Sequence, residues 1–167
     1  MTIKVPTSIG PHALPKALLD LLESGRWHVE QEALTNVLRR SGGPAFESAP
    51  YCLDADEIEG QLWVFQGLGR FPRPPPPGIS VWDAYGFRSS AQERTPVQLP
   101  WLDIDNALPI ILSSEDGPEI WLDYRVRPES PRIVAPVGIA TAERARDFVV
   151  IAISFQEFLT QLRGVAH

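Results

Sequence analysis

The sequence predicts a single α+β domain, a mainly antiparallel β-sheet covered on one side by N-terminal and C-terminal helices. Three observations carry this. Two amphipathic helical stretches open the chain, a helix with a strong start signal closes it, and the residues between hold short β-forming runs punctuated by Pro and Gly. Strands bracketed by helices, rather than alternating with them, favour an antiparallel sheet over parallel βαβ winding. At 167 residues the chain fits one domain and can bury a core without disulfides or metals.

The first helix is predicted in LPKALLDLLESG, residues 14–25. Pro15 suits its first position, Gly25 its end, and Leu14, Leu18, Leu21 and Leu22 share one face. Trp27 is expected to pack beneath it. The second helix is predicted in VEQEALTNVLRRSGG, residues 29–43. Its apolar stripe is Val29, Ala33, Leu34, Val37 and Leu38; Arg39 and Arg40 sit where the helix dipole favours cations, and Gly42-Gly43-Pro44 stops it.

The middle reads as strands. QLWVFQGL, residues 61–68, is rich in β-formers and bounded by Gly60 and Gly67. A Pro-rich surface loop follows at 71–78; Pro74 to Pro77 cannot donate to a ladder and favour the extended polyproline form. The loop reads as a stiff insertion between strands in preference to a ligand for an aromatic groove. ISVWDAYGF, residues 79–87, is a further strand candidate. The Pro-broken segment 97–112 is expected to end in a short strand at Ile110 to Leu112. PEIWLDYRV, PRIVAPVG and RDFVVIA supply three more strands. In ISFQEFLTQL, Ser154 and Glu157 form a capping box, and Phe155, Phe158, Leu159 and Leu162 line one helical face.

Composition narrows the function classes. The chain carries 17 prolines, against about 8 at average usage, which points to long stiffened loops. Its one cysteine, Cys52, excludes an internal disulfide and fits a reducing compartment. No apolar run has the length of a signal peptide or a membrane span, so a cytoplasmic location without membrane contact is expected. The net charge is −6. Between Arg40 and Arg70 stand Glu47, Asp54, Asp56, Glu57 and Glu59 with no base; between Arg94 and Arg125 stand Asp103, Asp105, Glu115, Asp116, Glu119 and Asp123, again with none. Such charge repels nucleic-acid backbones and attracts basic proteins; it also serves plain solubility, and on charge alone that second role is favoured.

The residues offer no catalytic constellation. His12, His28 and His167 lack a second ligand at metal spacing. DADEIEG, residues 54–60, lacks the periodic carboxylates of a calcium loop and reads as an acidic turn. Cys52 has no His nearby in sequence and reads as inert packing. GLGRFP departs from a dinucleotide fingerprint, with Pro72 in the third glycine's place. No metal or other cofactor and no enzymatic role is expected, and an enzyme is kept only as the third reading, after two kinds of binding protein.

The C-terminal two fifths carry an ordered set of motifs: Leu108-Pro109-Ile110, the Asp116-Gly117 turn, Leu122-Asp123, Ile133-Val134, then Ala152 with Ser154, Phe155, Phe158 and Leu159. This order, together with the opening helix, resembles the SMI1/KNR4-like group, the SUKH superfamily. In the strand after the turn, Ile120 and Leu122 share one face, and Trp121 and Asp123 the other. Asp123 is expected to bond loop backbone or to pair with Arg125. The resemblance implies a SUKH-type fold and a non-catalytic binding protein, of the kind encoded as immunity proteins that neutralise bacterial polymorphic toxins, often nucleases. The alternative it implies is an intracellular regulator or scaffold. A basic toxin domain would then be the partner of a monomer or weak homodimer. The expected contact surface is Asp54, Asp56, Glu57 and Glu59 with Glu115 and Asp116, and Trp82 and Tyr85 as aromatic anchors. For each residue singly, a solvated turn or a core position is the competing reading.

Overall fold

The structure is a computed structural model that describes residues 4–44, 46–69, 87–88, 102–114, 118–137 and 147–164. Its centre is a five-stranded antiparallel sheet in the order β3-β6-β7-β8-β9, formed by Pro50–Cys52, Ala107–Ser113, Glu119–Asp123, Arg132–Val137 and Asp147–Ala152. The last four strands are a meander, and β3 joins its open edge by pairing Tyr51 with Leu112. A small hairpin of β1 (Ser8–Ile9) and β2 (His12–Ala13) precedes the helices. A short parallel pair joins β4 (Phe87–Arg88) to β5 (Leu102–Asp103).

The helices form where their apolar periodicity and end signals agree. α1 spans Lys16–Ser24 and buries Leu18 and Leu22; α2 spans Gln31–Arg40 and buries Leu34, Val37 and Leu38. Both end in the same two-bond device. Gly25 N–H donates to Leu22 O and Arg26 N–H to Leu21 O; Gly42 N–H donates to Arg39 O and Gly43 N–H to Leu38 O. Gly25 and Gly42 adopt φ of 70° and 71°, a region glycine enters without a Cβ penalty. α4 spans Phe155–Gly164. Ser154 Oγ accepts from Glu157 N–H as the capping box requires, while the Glu157 carboxylate returns to the N–H of Ile153, one residue before the expected one.

Two expectations about the sheet need correction. Helices were expected over one side only, yet every residue of β7 is buried. Trp121 and Leu122 point to opposite faces, so the central strand is covered on both. Phe65 and Phe87 meet Trp121 edge-to-face at centroid distances of 4.9 and 5.6 Å, and Phe87 reaches on to Phe148. Elsewhere α4 packs on β8 and β9, α1 and α2 pack on α4, and Trp27 meets Phe155 edge-to-face at 5.5 Å rather than lying beneath α1 alone. The strand expected at Ile110 to Leu112 is also longer, because Pro109 is accommodated. The register shifts between Pro109 and Ile111, at the residue that has no N–H to give the ladder.

The larger correction concerns residues 54–69. The acidic turn and the strand predicted there are one helix, α3, spanning Ala55–Gly69. Ile58 and Leu62 are buried and Phe65 packs on the core, an i, i+4, i+7 stripe. Aromatic and β-branched content gave way to this tertiary packing. The strand candidate 79–87 lies outside the described residues except for Phe87. The 71–78 loop lies outside them entirely.

Candidate functional site

α3 is fixed to the sheet just before its first residue. β3 ends at Cys52, Leu53 N–H donates to Ile110 O at 3.0 Å, and the helix begins two residues later. Asp54 and Glu57 then form a reciprocal cap. Glu57 N–H donates to Asp54 Oδ1 at 2.8 Å, and Asp54 N–H donates to Glu57 Oε1 at 3.1 Å. The Tyr51 hydroxyl donates to the other Glu57 oxygen. That bond, with the nearby Glu57 charge, raises the Tyr51 phenol above its ordinary range. The cue was present in the sequence: Asp54 and Glu57 stand at the spacing of Ser154 and Glu157.

This divides the four acids expected to meet a partner. Asp54 and Glu57 are occupied with the helix's own first turn. Asp56 and Glu59 are exposed, with no hydrogen-bond or ion-pair partner among the described residues. They share the outward face of α3 with Gly60, Trp63 and Val64, all exposed at helical spacing. Trp63 is 78% exposed and Val64 49%, on a helix whose other face is core. A tryptophan this open is the feature that sequence reasoning missed, because a strand reading of 61–68 gave it no outward helical face. Tyr51, 49% exposed, stands at the acidic end of the same helix. Trp82, Tyr85, Glu115 and Asp116 lie outside the described residues.

The second concentration of polar groups is internal. Asp123 is wholly buried and accepts four hydrogen bonds: from Arg125 Nε and Nη2, each at 2.9 Å, from Arg125 N–H at 3.1 Å and from Arg132 Nε at 2.9 Å. Both expected roles are therefore filled at once, the backbone bond and the Arg125 pair. Burial pushes this carboxyl up, but the Arg125 hydrogen bonds and charge, with Arg132, outweigh it and hold the group below the usual carboxylate range. Beside it, Tyr124 donates its hydroxyl to Ala13 O and stacks on His12, whose Nε2 lies 2.9 Å from Asp105 O. Asp103 accepts from Asp105 N–H and from Asn106 Nδ2. These contacts pin the β1–β2 hairpin and the turn before β6 to the end of the sheet.

Burial pushes the Cys52 thiol up to about 12, which leaves little thiolate for nucleophilic work at neutral pH. Among the described residues no group of three or more His, Cys, Asp or Glu could hold a metal ion, and no helix is long and apolar enough to cross a membrane. The outward face of α3 presents an aromatic ring and an aliphatic side chain beside two carboxylates that have no partner among the described residues. Compared with protein-family models, with curated proteins and with solved structures, the chain matches none.

Proposed function

We propose that this chain is a non-catalytic protein-binding module that neutralises a basic toxin domain by docking the outward face of α3 on it. The observation that carries the reading is Trp63, 78% exposed on the same helical face as Asp56 and Glu59, whose carboxylates have no partner among the described residues. Exposed tryptophan is enriched where proteins meet, and it costs little side-chain entropy to immobilise. The carboxylates add long-range attraction within a chain of net charge −6. A toxin nuclease must hold phosphates and so presents cations; an acidic inhibitor associates quickly with such a surface. The resemblance of the C-terminal motifs to the SMI1/KNR4-like group supports a binding role, and the net charge of −6 favours a basic toxin domain as the partner.

The test is co-expression with the product of the neighbouring gene, read as rescue of any growth defect which that product causes, together with association kinetics across a salt series. The double variant Asp56→Lys/Glu59→Lys is expected to slow association by about tenfold or more at low salt and to flatten the salt dependence. Wild-type association that is insensitive to salt, with no rescue, would remove the reading. Binding of an intracellular partner without rescue would point instead to the regulator or scaffold role.

A further inference from the structure

Gly60 stands inside α3 without a conformational or packing reason. Its φ is not positive, so the backbone there suits any residue. A Cβ at this position would meet no heavy atom within 4 Å among the described residues, so no neighbour demands its absence. Glycine is a poor interior helix residue. Its effect is on shape, because it exposes a short stretch of bare helix on the outward face. Around that stretch stand Asp56 at i−4, Glu59 at i−1, Trp63 at i+3 and Val64 at i+4, all exposed. Trp63 stands one turn after Glu59 and Gly60 on the same face, and none of its side-chain atoms comes within 4 Å of where a Gly60 Cβ would lie, so the space above Gly60 is open.

We infer that this notch is a socket for an arginine side chain of a basic protein partner. The inference rests on the reading of α3 as a docking face and names the group it takes. A guanidinium is flat and weakly hydrated, stacks on an indole, and offers a fork of donors that matches a carboxylate. In the notch its aliphatic stem lies on the helix where a Cβ is missing, its plane lies against Trp63, and its donors face Asp56 and Glu59. A lysine ammonium is a compact, strongly hydrated charge that uses neither the flat ring nor the fork as well.

The test uses the full chain and short capped peptides of glycine with arginine, lysine or citrulline. The readout is the Trp63 indole N–H resonance, assigned by its loss in Trp63→Phe. The arginine peptide is expected to shift that resonance in a saturable way, with about three- to fivefold higher affinity than the lysine peptide. Citrulline, uncharged, is expected not to bind. Gly60→Leu fills the notch and is expected to weaken the arginine peptide by a similar factor while raising the unfolding midpoint, so lost binding cannot be lost folding. Equal affinity for arginine and lysine, or unchanged affinity in Gly60→Leu, overturns the socket. If the peptides fail while association of the toxin still slows in Asp56→Lys/Glu59→Lys, the socket is wrong and the docking face stands. A saturable arginine signal without growth rescue keeps the socket and removes the immunity role.

Discussion

Asp123 and Arg132 stand directly opposite each other across β7 and β8, and the Arg132 Nε donates to the Asp123 carboxylate at 2.9 Å. Arg125 reaches the same carboxylate from two residues along the chain. One wholly buried anion thus holds two guanidiniums, whose side chains are 9% and 22% exposed. Removing that anion is expected to cost far more than the pairs contribute, because it strands buried cations. Asp123→Asn should lower stability by about 3–5 kcal/mol at neutral pH, measured by urea denaturation. The carboxyl lies below its ordinary range when folded. Its contribution is therefore fully present above the unfolded value of about 3.9 and is lost as pH falls through the folded value. The gap between wild type and Asp123→Asn should accordingly narrow in acid.

The acids of α3 separate by role under mutation. Asp54→Ala removes the cap and should cost about 1 kcal/mol. Asp56→Asn and Glu59→Gln, at exposed sites without partners among the described residues, should each change stability by no more than about 0.5 kcal/mol. Chemical denaturation of the three variants checks this, and the two neutral changes should be the ones that slow association with a basic partner.

Cys52 should be slow to react in the folded protein. Its thiol is pushed up to about 12 by burial, so the thiolate fraction at neutral pH is minute. Labelling with a thiol reagent should be slow in buffer and fast in denaturant. Equal rates would contradict the packing of β3 described here.

Two glycines should respond oppositely to alanine. Gly25→Ala places a Cβ at φ of 70° and should destabilise by about 1 kcal/mol. Gly60→Ala replaces a glycine in ordinary helix with open space around it and should stabilise by about 0.5–1 kcal/mol. Thermal unfolding of the pair gives both signs in one experiment.

Much of the fold was legible where local signals and packing agree. Leu18, Leu21 and Leu22 of α1, Leu34, Val37 and Leu38 of α2, the Ser154 cap and the β-forming runs at 119–123, 132–137 and 147–152 lie where the sequence pattern put them, while Leu14 and Val29, expected on the helical stripes, stand just before the two helices. Residues 61–66 did not, because tryptophan, valine and phenylalanine in a row suit a strand as well as they suit a helix. What decides there is the contact of Phe65 with Trp121 and Phe87, from strands far away in sequence. The Asp54 cap was readable, but only if the acids are taken as helix-starting residues before they are taken as surface charge. The depth of Asp123 was less so, since alternation along a strand does not say whether its second face is wet. The openness of Trp63 depends on the same helix assignment.

The sheet's order also dictates a sequence of events. Tyr51 pairs with Leu112, about sixty residues downstream, whereas β6, β7 and β8 each pair with the next strand along. During synthesis the β3 segment and the start of α3 leave the ribosome well before the strand they lean on exists. The meander can form from near neighbours, while docking β3 must close a long loop at entropic cost. The outer strand and the acidic helix end behind it are thus the last part of the sheet to be secured, and their amides should be the first to exchange with solvent.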